Sequence, residues 1–191
     1  MSKTELRQAA LKTRRAMSAG DVTSRSASVT RRLFEMPEFD RAKLIASYVA
    51  KRDEVQTSEI IGRAMKSGKR VIVPRADKKS HDLSFLEIGP TTKLLEGGFG
   101  VMEPPLGTPR VELKESDLVL VPVVAWDESG SRLGYGGGYF DSALRNRGEA
   151  LSVGLAFEAQ RYPSIPQRGR DVPLDVVITE DRTLRIRGRE G

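Results

Sequence analysis

The spacing of apolar residues divides the chain into a helical amino-terminal part and a longer part in which helices alternate with strands. Residues 3–17 place their apolar side chains on one side of a helix. Ser18 and Asp21 have the spacing of a capping box that begins a second helix, and Pro37 ends it. We therefore predict a helical pair over 3–36.

Beyond the helical pair, short apolar runs bounded by turn residues predict strands. The predicted strands lie at 43–50, 70–74, 83–88, 117–125, 151–157 and 176–179, and the predicted helices at 57–66 and 140–147. The nearly continuous apolar run in DLVLVPVVA indicates a strand that is buried on both faces. Pro122 within it predicts a bulge or a strand end, where the chain opens towards a site.

The alternation of helix and strand favours an α/β fold. Because the strands are continuously apolar, we expect a three-layer α/β/α Rossmann-like sandwich with a mainly parallel sheet. We expect a single domain over 1–191, with the α/β core at 43–180.

Composition excludes several kinds of chemistry. The chain has no cysteine and one histidine, His81, so thiolate nucleophiles, zinc–cysteine sites, disulfides and a Ser-His-Asp triad are excluded or nearly so. His81 is expected on a polar turn without a catalytic role. A bound metal must be a hard ion held by carboxylates.

The chain has no run of about 20 apolar residues, which predicts no membrane partner, and the absence of cysteine agrees with a cytoplasmic protein.

The charge of the chain favours an anionic partner. Lysine and arginine exceed the acidic residues by 32 to 26, for a net charge of +6. Phosphate, polycarboxylate and nucleic acid all fit this charge. A nucleic-acid-binding protein therefore stays open as an alternative, although the sequence shows no helix-turn-helix, zinc finger or RNP-like motif.

A glycine-rich loop is the most informative segment. WDESGSRLGYGGGYFD, at 126–141, follows the most apolar strand and precedes a helix, with four glycines within 134–138. Glycines let consecutive backbone N–H groups face a phosphate without a Cβ in the way. The loop matches neither the dinucleotide fingerprint nor the P-loop. A flexible linker is the alternative, but the flanking Arg132, Tyr139 and Asp141 favour a phosphate site.

Several motifs resemble one known family in the family's order. The segment RLGYGGGYFD resembles the nucleotide loop of the 5-formyltetrahydrofolate cyclo-ligases, also called 5,10-methenyltetrahydrofolate synthetases. KTELR, at 3–7, resembles the family's N-terminal KxxLR, and DEVQT, at 53–57, resembles its substrate-binding segment. VGLAFEAQ at 153–160 and VPLDVVITE at 172–180 resemble its last two blocks.

The resemblance implies an ATP- and Mg²⁺-dependent ligase with a Rossmann-like fold. Its reaction closes a ring: the formyl oxygen of 5-formyltetrahydrofolate attacks the γ-phosphate, and N10 then displaces phosphate from the N5-iminium phosphate. The implied partners are ATP and 5-formyltetrahydrofolate, with or without a polyglutamate tail. We expect a cytoplasmic monomer that binds neither nucleic acid nor membrane.

Site residues follow from the motifs and the residue chemistry together. We expect ATP to be bound by Lys3, Arg7, Arg132, Leu133, Gly134, Tyr135, Gly136, Gly137, Gly138, Tyr139 and Phe140, with Arg132 and Tyr139 in catalytic roles. The folate is expected against Val49, Glu54, Tyr135 and Tyr139. Mg²⁺ is expected on Asp141 and Asp175, because magnesium takes one or two carboxylates together with phosphates and water.

Each assignment has a structural alternative. Lys3 and Arg7 could lie on a solvated helix face, and that position is the expected one for Arg14, which no motif supports. Asp141 could cap a helix, Asp175 could stabilise a turn, Glu54 could be a surface residue, and Tyr139 could belong to the core.

The loop departs from the loops of some relatives. Tyr135 and Gly137 stand where some relatives carry basic residues, so the cation that faces the phosphates must come from Arg132, Lys3 or Arg7. Phe140 replaces the second tyrosine of the family's loop. A non-ligase α/β enzyme, such as a sugar-phosphate isomerase or an acyl-CoA transferase, is a further alternative, since a fold does not fix a function.

Overall fold

A computed structural model describes residues 1–51, 53–77, 80 and 82–186 of the chain. The predicted turn at His81 lies outside the described residues. The helices are α1 (Lys3–Arg15), α2 (Ala19–Phe34), α3 (Pro37–Arg41), α4 (Ser58–Lys66) and α5 (Tyr139–Arg145). The strands are β1 (Leu44–Ala46), β2 (Arg70–Asp77), β3 (Asp82–Ile88), β4 (Leu95–Glu96), β5 (Met102–Glu103), β6 (Leu118–Pro122), β7 (Ala125–Trp126), β8 (Arg132–Leu133), β9 (Leu151–Leu155), β10 (Val176–Ile178) and β11 (Thr183–Arg185).

The main sheet of the described chain has seven strands in the order β11-β10-β9-β6-β1-β2-β3. Its five central strands, from β10 to β2, run parallel to one another. Only the edge strands β3 and β11 are antiparallel to their neighbours. The prediction of an α/β fold with a mainly parallel sheet is confirmed.

Helices cover both faces of this sheet, because successive side chains of the central strands point to opposite sides. Leu118 and Leu120 of β6 pack in the core that α2, α3 and α4 share, whereas Val119 and Val121 pack in the core that contains Leu144 of α5. All four side chains are at most 1% exposed. The continuous apolar run thus records burial on two faces, each buried Leu or Val being worth about 1.5–3 kcal/mol.

Helix α1 packs outside these two layers. Leu6 and Ala10 are buried against Val124 and Leu133, on the hairpin that β7 and β8 form beyond the carboxyl end of β6. The helix begins with a capping box between Ser2 and Glu5. Its position brings its cationic residues to the end of the sheet where the central strands terminate.

The predicted helix starts and the predicted opening of the chain are confirmed. Ser18 and Asp21 form the capping box of α2. Pro122 is the last residue of β6, and the chain leaves the sheet there for the β7–β8 hairpin. The sequence did not predict β11 or the β4–β5 hairpin, which lies within a segment rich in Gly and Pro. In the described part of the chain, every helix is too short or too polar to cross a membrane.

Candidate active site

A cavity of about 530 Å³ opens at the carboxyl ends of β1, β2 and β6, where open α/β sheets bind their ligands. Helix α1, the turn that follows β1, the glycine loop, the segment between β4 and β5, Leu83 of β3 and the segment that carries Arg168 and Asp171 contribute the other walls. Every predicted site residue except Asp175 lines this cavity. They are Lys3, Arg7, Val49, Glu54, Arg132, Leu133, Gly134, Tyr135, Gly136, Gly137, Gly138, Tyr139, Phe140 and Asp141.

The glycine loop presents backbone rather than side chains to the cavity. Gly136 and Gly138 have φ angles of +103° and +71°, a region that disfavours side chains. A Cβ on Gly137 would lie 2.7 Å from the ring of Tyr139. Among the described residues, no protein acceptor is recorded for the backbone N–H groups of 134–138. These N–H groups are therefore available to an anion in the cavity.

Helix α1 brings two cations to the loop. The Lys3 ammonium is hydrogen-bonded to the carboxylate of Asp171, which also lines the cavity. Arg7 Nε donates to the carbonyl of Gly134 over 2.8 Å, and its guanidinium lies beside Gly136. In the described part of the chain, no carboxylate lies within 4.0 Å of Arg7. Arg7 therefore brings positive charge to the loop that no neighbouring acid neutralises.

Arg132 lies in the wall of the cavity, where its side chain is only 3% exposed and contacts other protein groups. Its guanidinium lies 3.1 Å from Asp141 and donates to the carbonyl of Val172 over 2.6 Å. Burial lowers the pKa of Arg132, and the Asp141 carboxylate opposes that shift without cancelling it. The guanidinium remains a cation and fixes the Asp141 carboxylate against the glycine loop.

Asp141 does not have the capping role that was its alternative. Within the described residues, α5 begins after Gly138 without a side-chain cap, and Asp141 is the third residue of the helix. One carboxylate oxygen accepts the backbone N–H of Val172 over 3.1 Å and contacts Arg132. The side chain is 28% exposed, so it can still reach a ligand in the cavity.

The expectation that Asp175 shares a metal site with Asp141 is wrong. Asp175 precedes β10 and therefore lies at the amino end of a parallel strand, whereas the cavity opens at the carboxyl ends. Its carboxylate pairs with Arg147 at 3.0 Å and accepts from the backbone and hydroxyl of Ser152, both at 2.8 Å. These contacts support the structural role that was the alternative for Asp175.

Glu54 is a buried residue of the cavity wall. It is 5% exposed, and its two oxygens accept from the Tyr135 hydroxyl at 2.7 Å and from the Lys51 backbone N–H at 2.6 Å. The Lys51 ammonium lies 4.4 Å from the centre of the Tyr135 ring. The alternative of a solvated surface glutamate is therefore wrong. Each oxygen keeps a lone pair with which it can accept a further hydrogen bond from a ligand.

The residues of the cavity wall that sequence reasoning missed include Phe99, Glu103 and Asp171. Phe99 has a φ of 60°, which is strained for a side chain of this size, and its ring meets Tyr139 edge-on at 5.7 Å. Glu103 is 5% exposed, and Gly97 makes room for it, since a Cβ there would lie 2.3 Å from the carboxyl group. Glycine and proline hide any periodicity in the segment that contains Phe99 and Glu103, so no sequence signal pointed to these two side chains.

The donor set suits magnesium better than a metal held by protein ligands alone. Among the described residues, no group of three or more His, Cys, Asp or Glu side chains could hold a metal ion. Asp141 and Asp171 both line the cavity. Burial favours a higher pKa for Asp171, but the hydrogen bonds from Lys3 and from the Arg168 backbone lower it overall, so it is a carboxylate at neutral pH. Two carboxylates in a cavity that a glycine loop also lines match the preference of Mg²⁺ for one or two carboxylates.

These features define an open α/β protein whose cavity, at the carboxyl ends of its strands, offers backbone donors and positive charge to an anionic ligand. The sequence profile of the 5-formyltetrahydrofolate cyclo-ligase family matches residues 1–180. The chain therefore belongs to this family, as its motifs predicted.

Individual relatives agree. The 5-formyltetrahydrofolate cyclo-ligase of Haemophilus influenzae is 35% identical over 156 residues, which cover 79% of this chain and 83% of that protein. The enzyme of the same name from Escherichia coli is 30% identical over 173 residues, 88% of this chain and 95% of that protein. The NMR structure of Aquifex aeolicus 5,10-methenyltetrahydrofolate synthetase superimposes with a TM-score of 0.87 and 33% identity, covering 100% of this chain and 96% of that one.

The position of Asp175 predicts a stability defect without a catalytic one. Asp175→Asn leaves Arg147 buried without its carboxylate, so we expect the free energy of unfolding to fall by about 3–5 kcal/mol in urea denaturation. KM for each substrate, measured on the folded fraction, should stay within about twofold of wild type. Asp181→Asn, at an exposed position, is the control and should change stability by less than about 0.5 kcal/mol. A stable variant with weakened magnesium-dependent ATP binding would contradict the assignment.

Proposed function

We propose that this cavity carries out the ATP-dependent cyclisation of 5-formyltetrahydrofolate to 5,10-methenyltetrahydrofolate, with release of ADP and phosphate. One observation carries the proposal. Helix α1, the turn that follows β1 and the glycine loop are distant in sequence, yet the predicted site residues of all three segments line one cavity. Both substrates can therefore bind side by side, which is what a reaction between them requires.

The glycine loop and α1 form the triphosphate end of the cavity. The N–H groups of 134–138 would donate to phosphate oxygens, and Arg7 would neutralise their charge. Lys3 would add a second cation, held in place by Asp171. Phosphoryl transfer asks a protein for positioning and charge neutralisation rather than for a covalent nucleophile. A chain without cysteine can meet this demand.

Asp141 and Asp171 would hold Mg²⁺ at this end. The bound ion would supply positive charge to the phosphate oxygens. Arg132 contributes by fixing the carboxylate of Asp141 through the 3.1 Å contact between them. We therefore propose that Arg132 acts mainly through Asp141. Arg7 is our candidate for the cation that faces the phosphates, because Tyr135 stands where some relatives carry a basic residue.

The other end of the cavity suits the folate. The Glu54 carboxylate would accept hydrogen bonds from N–H groups of the pterin, and Val49 and the Tyr139 ring would pack against its apolar faces. In this arrangement the formyl oxygen attacks the γ-phosphorus and ADP leaves. N10 then attacks the formyl carbon, the bond between that carbon and the phosphate oxygen breaks, and the proton of N10 leaves with the phosphate. The chain would orient the reacting groups towards each other.

The proposal extends to the location, the oligomeric state and the partners of the protein. We propose a cytoplasmic monomer that accepts its folate with or without a polyglutamate tail and binds neither nucleic acid nor membrane. The absence of cysteine supports a cytoplasmic location. The cations of the cavity account for an affinity for anions without a need for nucleic acid.

The reaction itself can be tested by mixing. Enzyme, ATP, Mg²⁺ and 5-formyltetrahydrofolate should together give a rise in near-ultraviolet absorbance, because the product contains a conjugated amidinium. Omission of any one component should abolish the rise. Release of ADP should match product formation one to one. No rise with either diastereomer of the substrate would refute the proposal, and binding of CoA or a pentose phosphate instead would favour a non-ligase enzyme.

The metal assignment predicts a defect in Asp141→Asn. Loss of the carboxylate should lower kcat by about 100-fold and raise the Mg²⁺ concentration needed for half-maximal rate. Asp40→Asn, at an exposed position of α3, is the matched control and should behave as wild type. Steady-state rates over a magnesium titration measure both effects. A loss of rate that only follows the fraction unfolded, or an unchanged magnesium dependence, would contradict the role of Asp141.

A further inference from the structure

A partly buried chain of hydrogen bonds connects helix α1 to the end of the cavity that is proposed to bind the folate. It begins at Arg14, for which a solvated position was expected, but which is only 1% exposed. Arg14 lies outside the cavity wall. Its Nη2 donates to the hydroxyl of Tyr135 over 2.5 Å, and that hydroxyl donates to Glu54 over 2.7 Å. Residues from three separate segments therefore act as one polar unit.

The direction of this chain follows from the chemistry of its groups. A guanidinium has only donors, so the Tyr135 oxygen must accept from Arg14. The single proton of the hydroxyl then remains for Glu54. The backbone N–H of Lys51 donates to the other oxygen of the same carboxylate. With donors on both oxygens, Glu54 is held as a group that only accepts hydrogen bonds, which suits N–H groups of a ligand and disfavours carbonyl groups.

Arg14 is well placed to impose this direction, because all three of its nitrogens are occupied. Besides the bond to Tyr135, its Nε donates to Asp53 over 3.1 Å and its Nη1 to the carbonyl of Val123 over 3.3 Å. Burial alone would lower the pKa of Arg14, but Tyr135, Glu54 and Asp53 together raise it, so Arg14 stays charged. The guanidinium therefore has one orientation and a constant charge.

Tyr135 is also held in place by its surroundings. Burial, followed by the charge of Glu54, raises its pKa, so the hydroxyl keeps its proton. The ring lies beneath the Lys51 ammonium. Since Tyr135 belongs to the glycine loop, it couples the loop that faces the nucleotide to the carboxylate that faces the folate.

We propose that Arg14, acting through Tyr135, is a positioning residue that orients the Glu54 carboxylate and makes it selective for N–H donors of the folate. The inference rests on the proposed function, because it assigns the occupant of the Glu54 end to 5-formyltetrahydrofolate. It adds Arg14 to the residues that act on the folate and gives the Tyr135 hydroxyl a defined role there. It also predicts that neither the Arg14 side chain nor the Tyr135 hydroxyl acts on ATP affinity.

The test is a double-mutant cycle of Arg14→Met and Tyr135→Phe. We measure Kd for 5-formyltetrahydrofolate by calorimetry, and kcat and KM for both substrates. Each single variant should weaken folate affinity about tenfold, the value of one hydrogen bond to a charged group. KM for ATP should stay within about twofold. The double variant should lose no more folate affinity than the single variant with the larger loss, because both substitutions break the same chain of hydrogen bonds.

Controls separate positioning from folding. Arg15→Met, on the exposed face of α1, and Tyr162→Phe should retain wild-type affinities. Arg14→Lys keeps a donor to Tyr135 and should restore part of the affinity. Tyr135→Phe removes a hydroxyl from a side chain that is 43% exposed and so should fold, which keeps the test valid if Arg14→Met does not.

Additive losses, equal losses for ATP and folate, or unchanged folate affinity would each overturn the inference. Wild-type protein that binds and converts the folate, together with variants that do so equally well, would refute this inference alone. Wild-type protein that neither binds nor converts 5-formyltetrahydrofolate would refute the proposed function and this inference with it.

Discussion

The site depends on the docking of helix α1 across the carboxyl ends of the central strands. Leu6 and Ala10 supply the apolar contact by packing against the β7–β8 hairpin. Three of its cations then reach two other segments: Lys3 contacts Asp171, whereas Arg7 and Arg14 contact Gly134 and Tyr135 of the glycine loop. Without this helix, the cavity would lose one wall, and the glycine loop would lose its contacts with Arg7 and Arg14.

This docking divides the cavity into two ends of different chemistry. At one end, backbone N–H groups and Arg7 offer donors and positive charge. At the other end, Glu54 offers a buried acceptor whose oxygens are fixed by Tyr135 and Lys51. The two ends share the residue Tyr135, which belongs to the loop and holds the carboxylate. A reaction between a phosphate donor and a folate requires both ends to be ordered at the same time.

Local features of the sequence predicted the fold well. The continuous apolar run in β6 and the capping box at Ser18 reflect burial and hydrogen bonding within a few residues, and both are as expected. The glycine loop and Glu54 were found through motifs, and they line one cavity. Asp175 was misplaced although its position before a parallel strand already assigns it to the amino end of the sheet, away from the ligand.

Other features could not be predicted because they depend on contacts between distant residues. Arg14 resembles any basic residue of an amphipathic helix. Its burial is explained by its contacts with Asp53, Val123 and Tyr135, which lie 39, 109 and 121 positions away. Phe99 owes its place to a positive φ angle within a glycine-rich segment. In both cases the local sequence carries no signal for the partner that fixes the side chain.

Amide hydrogen exchange of the protein with and without Mg²⁺ and ADP tests the central claim most directly. Exchange at 134–138 should slow when the nucleotide binds, since the loop N–H groups would then donate to its phosphates, and Arg7→Met should weaken this protection. Protection at another edge of the sheet, with unchanged exchange in the glycine loop, would show that the nucleotide binds elsewhere and would contradict the account.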